Sequence, residues 1–156
     1  MKKVVIHTDG GCRGNPGPGG WAAILQYDRH TKELTGTDQS TTNNRMELKA
    51  AIEALKALKQ PCEVELWTDS SYLAKGYMEW MPRWKDFGWQ RKPRSKNKPV
   101  MNVELWQELD KLGAAHKITF HWLRGHNGHP LNERCDALVQ RAMNETRKSA
   151  QGRSKA

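Results

Sequence analysis

The sequence predicts a single-domain α/β protein built on a mixed sheet, and three observations carry that prediction. Two short apolar runs, Val4-Val5-Ile6-His7-Thr8-Asp9 and Val64-Glu65-Leu66-Trp67-Thr68-Asp69, each end in Thr-Asp followed by two small residues. Their β-branched and aromatic content marks them as strands. Between them lie two more strand-like runs, spaced for an antiparallel meander, and one stretch of helical periodicity. A meander, a helix and a further strand allow the last strand to lie parallel to the first. Asp9 and Asp69 then meet at one end of the sheet.

Taken in order, the first strand stops where Gly10 and Gly11 free the backbone, which puts Asp9 at its carboxyl end. The stretch from Cys12 to Gly20 is filled with glycine and proline, so it reads as a loop rather than a helix or a central strand. Its sparse side chains let a ligand approach the backbone. Neither a dinucleotide fingerprint nor a P-loop pattern is present in it. Trp21 to Tyr27 and Glu33 to Gln39 read as strands joined by the turn Asp28 to Lys32.

Thr41 or Thr42 caps a helix reaching about Lys59, with Leu48, Ile52, Leu55 and Leu58 on its buried stripe, Glu47 at the stripe's margin and Pro61 beyond its end. After the Asp69 strand, Tyr72 to about Met81 reads as helix. Pro82 interrupts it, and Arg83 to Gly88 reads as a further short turn. Trp89 to Pro99 reads as an exposed loop. Val103, Trp106, Leu109 and Leu112 mark the next helix, and Lys117 to Leu123 a fifth strand. A Gly-rich loop, Gly125 to His129, precedes a last helix with Pro130 near its start and a stripe of Cys135, Leu138, Val139 and Ala142. Trp106 and Trp122 are assigned to the core by their regular spacing. From Asn144 the sequence loses periodicity, so residues 1–143 are read as the domain and 144–156 as a basic, disordered tail.

Composition narrows the function. The chain has 156 residues, of which 37% are hydrophobic and 28% charged. No run is long enough to span a bilayer as a helix. The first strand begins within a few residues of Met1, so a signal peptide is not expected. Cys12, Cys62 and Cys135 form no Cys-x-x-Cys pair, which argues against zinc and against a disulfide framework and favours a cytoplasmic setting. The formal charge is +9. Arg83 to Lys98 contributes +6 and Asn144 to Ala156 contributes +3, leaving the rest neutral. A neutral body with two basic extensions fits a polyanionic partner, or simply a solvated face.

Four acids stand out: Asp9 and Asp69 at strand ends, Glu47 near the start of one helix and Asp136 near the start of another. Any one alone reads equally well as a cap or a half-buried ion pair. Together they would repel strongly, and a divalent cation is the natural remedy. Oxygen-only ligands point to magnesium or manganese rather than zinc.

These residues sit within a longer set of motifs. Thr8-Asp9-Gly10, Asn15-Pro16-Gly17-Pro18-Gly19-Gly20, Thr42-Asn43-Asn44-Arg45-Met46-Glu47-Leu48, Thr68-Asp69-Ser70, Gly125-His126 and Asn132-Glu133-Arg134-Cys135-Asp136 occur in this order. In them the chain resembles the type 1 ribonucleases H of bacteria, along Lys2 to about Met143. The resemblance implies the ribonuclease H-like fold, a five-stranded mixed sheet ordered 3-2-1-4-5 with helices on both faces. It implies an endonuclease that cuts the RNA strand of RNA–DNA hybrids with two magnesium ions (manganese as a substitute), leaving 5′-phosphate and 3′-hydroxyl ends. Asp9 would bridge both ions, Asp136 would help hold the one that activates water, and Glu47 and Asp69 the one at the leaving oxygen. His126 matches the family's mobile histidine, suited to proton transfer or product release; His129 is read as structural.

Reading of the ribose 2′-hydroxyl falls by resemblance to Asn15, Asn43 and Asn44 and to the backbone at Gly10, Gly11 and Cys12, with helix capping the competing role of the asparagine pair. Tyr72, Trp80 and Trp84 match the groove for the DNA strand, and Thr42 and Asn102 its phosphate pocket. The basic stretch from Lys85 to Lys98, with Trp89 inside it, matches the handle that grips the hybrid. Ser40 stands where relatives often carry arginine, and Ser71 and Leu131 replace polar or acidic residues. A monomer acting on hybrids is implied. The competing readings are a binding module for hybrids or double-stranded RNA, disfavoured because a binder gains nothing from four acids facing phosphate, and an integrase-like nuclease, disfavoured by the asparagine pair and the aromatic groove. Neutralising Lys92, Arg94, Lys96 and Lys98 together is expected to raise KM and flatten its salt dependence more than it lowers kcat. Steady-state kinetics over a salt series checks this, and a fall confined to kcat would remove the stretch from binding.

Overall fold

A computed structural model of the chain describes residues 1–91, 100–124 and 128–154. Its strands are β1 (Lys2–Cys12), β2 (Gly17–Tyr27), β3 (His30–Thr41), β4 (Cys62–Thr68) and β5 (Lys117–Trp122). They form one five-stranded sheet in the order β3-β2-β1-β4-β5. The first three are antiparallel neighbours, and β1–β4 and β4–β5 are parallel. Val4 lies opposite Val64 and His7 opposite Trp67. The same register, carried two residues further, brings Asp9 to Asp69. The helices are α1 (Asn43–Lys56), α2 (Ser71–Lys75), α3 (Met81–Asp86), α4 (Val103–Gly113) and α5 (Pro130–Ser154), with a π-helical turn, Gly76–Trp80, joining α2 to α3.

The two-residue period of the strands divides the core between the two faces of the sheet. Val4, Ile6, Ala23, Leu25, Val64, Leu66 and Phe120 point to one face, where they pack with Leu48, Ile52 and Leu55 of α1 and Trp106 and Leu109 of α4. Ala22 and Ile24 point to the other, against Cys135, Leu138, Val139 and Met143 of α5. Helices therefore cover both faces, as expected. No helix of the described residues is long and apolar enough to cross a membrane.

Several boundaries differ from expectation, each for a physical reason. β1 does not stop at Asp9; it continues through Gly10, Gly11 and Cys12, paired only with β2. The glycines before Trp21 are strand, not loop: Gly19 and Gly20 pair with β1 on one side and β3 on the other. A Cβ on Gly19 would lie 2.5 Å from Thr41 Cγ2 and 2.8 Å from Gly11 O. Glycine serves close packing there, not a turn. The β2–β3 turn is only Asp28-Arg29, with Tyr27 opposite His30 and Asp28 at φ 50°. Positive φ is what the tight hairpin turns require. Residues 30–32 are exposed, so hydrophobicity did not mark them as strand.

α1 ends at Lys56, with Ala57 as its cap, short of Lys59. Pro82 does not break the chain's helical path: it lies in the first turn of α3, where its missing N–H has no intrahelical partner to lose. Trp122 is not core; it is 39% exposed at the end of the edge strand. The last helix continues past Asn144 to Ser154 where a disordered tail was expected. Glu145 to Gln151 contains good helix formers and no breaker before Gly152, and Arg141 pairs with Glu145 one turn on.

The π-helical turn fits tightly. A Cβ on Gly76 would lie 2.2 Å from Trp106 Cη2. Trp106 is fully buried and its indole N–H donates to Tyr72 Oη at 3.0 Å, so the ring has little room to yield. Gly76→Ala is expected to cost about 1–3 kcal/mol of stability by overpacking, read as a lower Tm and a lower urea midpoint.

Candidate active site

The site begins with a close approach of helix to strand. A Cβ on Gly10 would lie 2.5 Å from both Glu47 N and Met46 C, so only glycine lets the first turns of α1 rest on β1. Thr42 starts that helix, its hydroxyl accepting from Arg45 N–H at 3.3 Å. The capping role weighed for the asparagine pair thus falls to Thr42, and Asn43 and Asn44 are exposed on the first turn. The Gly10 N–H donates to Glu47 Oε1 at 3.1 Å and to Asp9 Oδ1 at 2.9 Å. One backbone group thereby ties the two carboxylates together.

Asp69 joins them from the neighbouring strand end. Carboxylate oxygens of Asp9, Glu47 and Asp69 all lie within 4.8 Å of one another. Asp9 and Glu47 are both 4% exposed. Glu47, expected at the margin of its helix's buried stripe, is fully inside. Burial, followed by the charges of Asp9 and Asp69, pushes the Glu47 carboxyl well above its usual range, with the Gly10 N–H opposing. Glu47 Oε2 is buried with no hydrogen-bond partner among the described residues. An all-oxygen, anionic donor set, two of its three residues buried, with an oxygen that no described residue pairs, is what a hard divalent cation takes. Asp136, half-buried in the second turn of α5, lies outside this group of three.

The residues expected to meet the substrate fall in two places. Beside Gly10, the Asn15 side-chain oxygen accepts from the Asn43 N–H at 3.4 Å, joining the Gly-rich loop to the start of α1. The Cys12 thiol lies within reach of the Thr41 and Gly17 carbonyls, at 3.2 and 3.3 Å. On the other side, Tyr72, Trp80 and Trp84 form one ring cluster with buried Trp106: Tyr72–Trp80 centroids are 6.1 Å apart and Trp80–Trp84 6.0 Å. Tyr72 Oη accepts from Asn102 Nδ2 at 3.1 Å, and Asn102 Oδ1 accepts from Arg45 Nη1 at 3.1 Å. Asn102 has φ 57°, a conformation asparagine tolerates.

This chain of bonds links the ring cluster to Thr42 through Arg45, which the sequence placed inside a motif but gave no role. Arg45 is also paired with Glu104 at 2.6 Å. Lys85 pairs with Asp110 at 3.1 Å. Trp89 is half-buried against the main core, its N–H donating to Trp84 O at 2.6 Å. His126, Lys92, Arg94, Lys96 and Lys98 lie outside the described residues. Trp122, read from sequence as core, instead donates its indole N–H to the Asp69 carbonyl at 3.1 Å.

The family model for RNase H matches residues 1–144. A curated protein of Cupriavidus pinatubonensis named Ribonuclease H is 57% identical over 143 residues, 92% of this chain and 97% of that one. One from a Chelativorans species, of the same name, is 57% identical over 152 residues, 97% of this chain and 92% of that one. Among solved structures, LC9-RNase H1, described as a type 1 RNase H with the type 2 active-site motif, superposes with a TM-score of 0.82 at 31% identity. That match covers 93% of this chain and 74% of that one. LC11-RNase H1, solved in complex with an RNA/DNA hybrid, gives 0.66 at 25% identity over 92% of this chain and 98% of that one.

The raised Glu47 carboxyl makes a prediction about stability without metal. Between the usual carboxyl value of 4.5 and its higher folded value, the folded state holds a proton that the unfolded state has released. Stability from this group is therefore fully present below about 4.5 and is lost as pH rises through the folded value. In chelator, Glu47→Gln is expected to flatten the decline of Tm with rising pH and to raise Tm at pH 8. Thermal melts across pH check both.

Proposed function

The chain belongs to the RNase H family of endoribonucleases, and we propose that it hydrolyses the RNA strand of RNA–DNA hybrids by a two-metal-ion mechanism, leaving 5′-phosphate and 3′-hydroxyl ends. The observation that carries this reading is the convergence of Asp9, Glu47 and Asp69 on one buried point at the end of the sheet. Two divalent cations, magnesium with manganese as substitute, would be held by these three carboxylates and by Asp136. When bound, such ions supply an activated water and charge stabilisation at the leaving oxygen.

The chain's own groups do the remaining work. The Gly10 N–H orients two of the carboxylates, and burial keeps competing water from them. Asn15, Asn43, Asn44 and the backbone from Gly10 to Cys12 read the 2′-hydroxyls of the RNA strand. Tyr72, Trp80 and Trp84 pack against deoxyriboses too closely for a 2′-hydroxyl, and Thr42 and Asn102 take a DNA phosphate. Lys85, Trp89 and the basic residues after them grip the hybrid without reading its sequence. His126 moves a proton at the site or helps product leave. Residues 1–143 form the catalytic unit, which acts in the cytoplasm as a monomer.

End-labelled RNA–DNA hybrid, double-stranded RNA and double-stranded DNA, each with magnesium or chelator, test the reading. Cutting is expected only in the RNA of the hybrid and only with magnesium. Asp9→Asn and Asp69→Asn should abolish it while hybrid binding is largely kept. Binding without cutting by the unaltered chain would refute the proposal.

A further inference from the structure

Trp122 has no evident reason to be tryptophan if it only packs. It ends the edge strand, 39% exposed, and belongs to neither buried cluster of the sheet. Its one polar atom is nevertheless directed inward: the indole N–H donates to the Asp69 carbonyl at 3.1 Å. Two cations lie over the ring, Lys75 Nζ at 5.3 Å and the Arg124 guanidinium at 5.1 Å from its centroid.

The same stretch of chain is anchored twice more. The Leu123 N–H donates to the Thr68 carbonyl at 2.8 Å. The Ser70 N–H donates to Thr68 Oγ1 at 3.0 Å. The peptide groups on both sides of the Asp69 Cα are thus fixed, and two of the three donors come from the end of β5. Parallel pairing of β1 with β4 has ended before this point, at His7 and Trp67. On the other side, pairing of β4 with β5 runs to Thr68 and Trp122, so the peptides flanking Asp69 are held from the end of β5.

We propose that Trp122 is a positioning residue for metal binding: its indole N–H fixes the peptide that carries the Asp69 carboxylate to Asp9 and Glu47. The inference rests on the reading of that cluster as the cation site. Calorimetric titration of magnesium into the full chain separates the two. Asp69→Asn should lose binding, and Trp122→Phe, which keeps a ring but no donor, should bind magnesium about two- to tenfold more weakly, the range expected for one hydrogen bond. Cleavage by Trp122→Phe should recover as magnesium is raised, with KM for hybrid at saturating magnesium unchanged.

If the unaltered chain takes up no magnesium, the cation reading fails and this proposal with it. If the unaltered chain binds and Trp122→Phe binds equally well, or its KM for hybrid rises instead, the proposal alone is overturned. A measurement without substitution guards against a misfolded variant. The Trp122 indole proton resonance should shift during the magnesium titration with the calorimetric midpoint, and an unmoved resonance would overturn the proposal.

Discussion

The architecture depends on a contact in which nothing but backbone fits. At Gly10 the first turns of α1 lie directly on β1, closer than any side chain would allow. That approach lets a single N–H serve the carboxylates of both Asp9 and Glu47. Asp9 comes from a strand and Glu47 from a helix on one face of the sheet. They meet because glycine removes the layer of side chains that ordinarily separates a helix from a sheet.

Placing three acids there carries an electrostatic cost. The cost shows in the raised Glu47 carboxyl and in the Glu47 Oε2 that no described residue hydrogen-bonds. A core on each face of the sheet, from α1 and α4 on one side and α5 on the other, supplies the packing that tolerates it. Bound divalent cations would turn this repulsion into affinity, since the same oxygens become ligands. Without them, desolvation and then repulsion from Asp9 and Asp69 favour keeping a proton on Glu47.

The residues around the acids are joined by hydrogen bonds that cross elements. Thr42, Arg45, Asn102, Tyr72 and Trp106 form one connected path from the cap of α1 to the ring cluster under the helical stretch Ser71–Asp86. The proposed DNA-strand groove and the helix that carries Glu47 are therefore parts of one rigid frame. Arg134 of α5 likewise bonds Glu33 of β3 in a two-pronged pair, and Arg13 of the Gly-rich loop bonds Asn144 of α5. The Arg134–Glu33 bond, lying at the surface, adds orientation more than stability.

Much of this was legible in the residues themselves. Alternation and β-branching placed the strands, the leucine stripe placed α1, and the repeated Thr-Asp ends predicted that Asp9 and Asp69 would face one another. Those signals are local, with periods of a few residues, and they survive folding because burial enforces them. The resemblance carried by the ordered motifs supplied strand order and the roles expected of the four acids. What the tertiary structure alone decided concerns distance across the fold. That Gly19 and Gly20 are central strand, that Glu47 is fully buried and that Trp122 faces Asp69 rather than the core all follow from neighbours remote in sequence. A glycine has the same local preference whether it turns a chain or admits a helix, and a tryptophan the same hydrophobicity in a core or against a backbone carbonyl at a strand end. Only the packed neighbour distinguishes them.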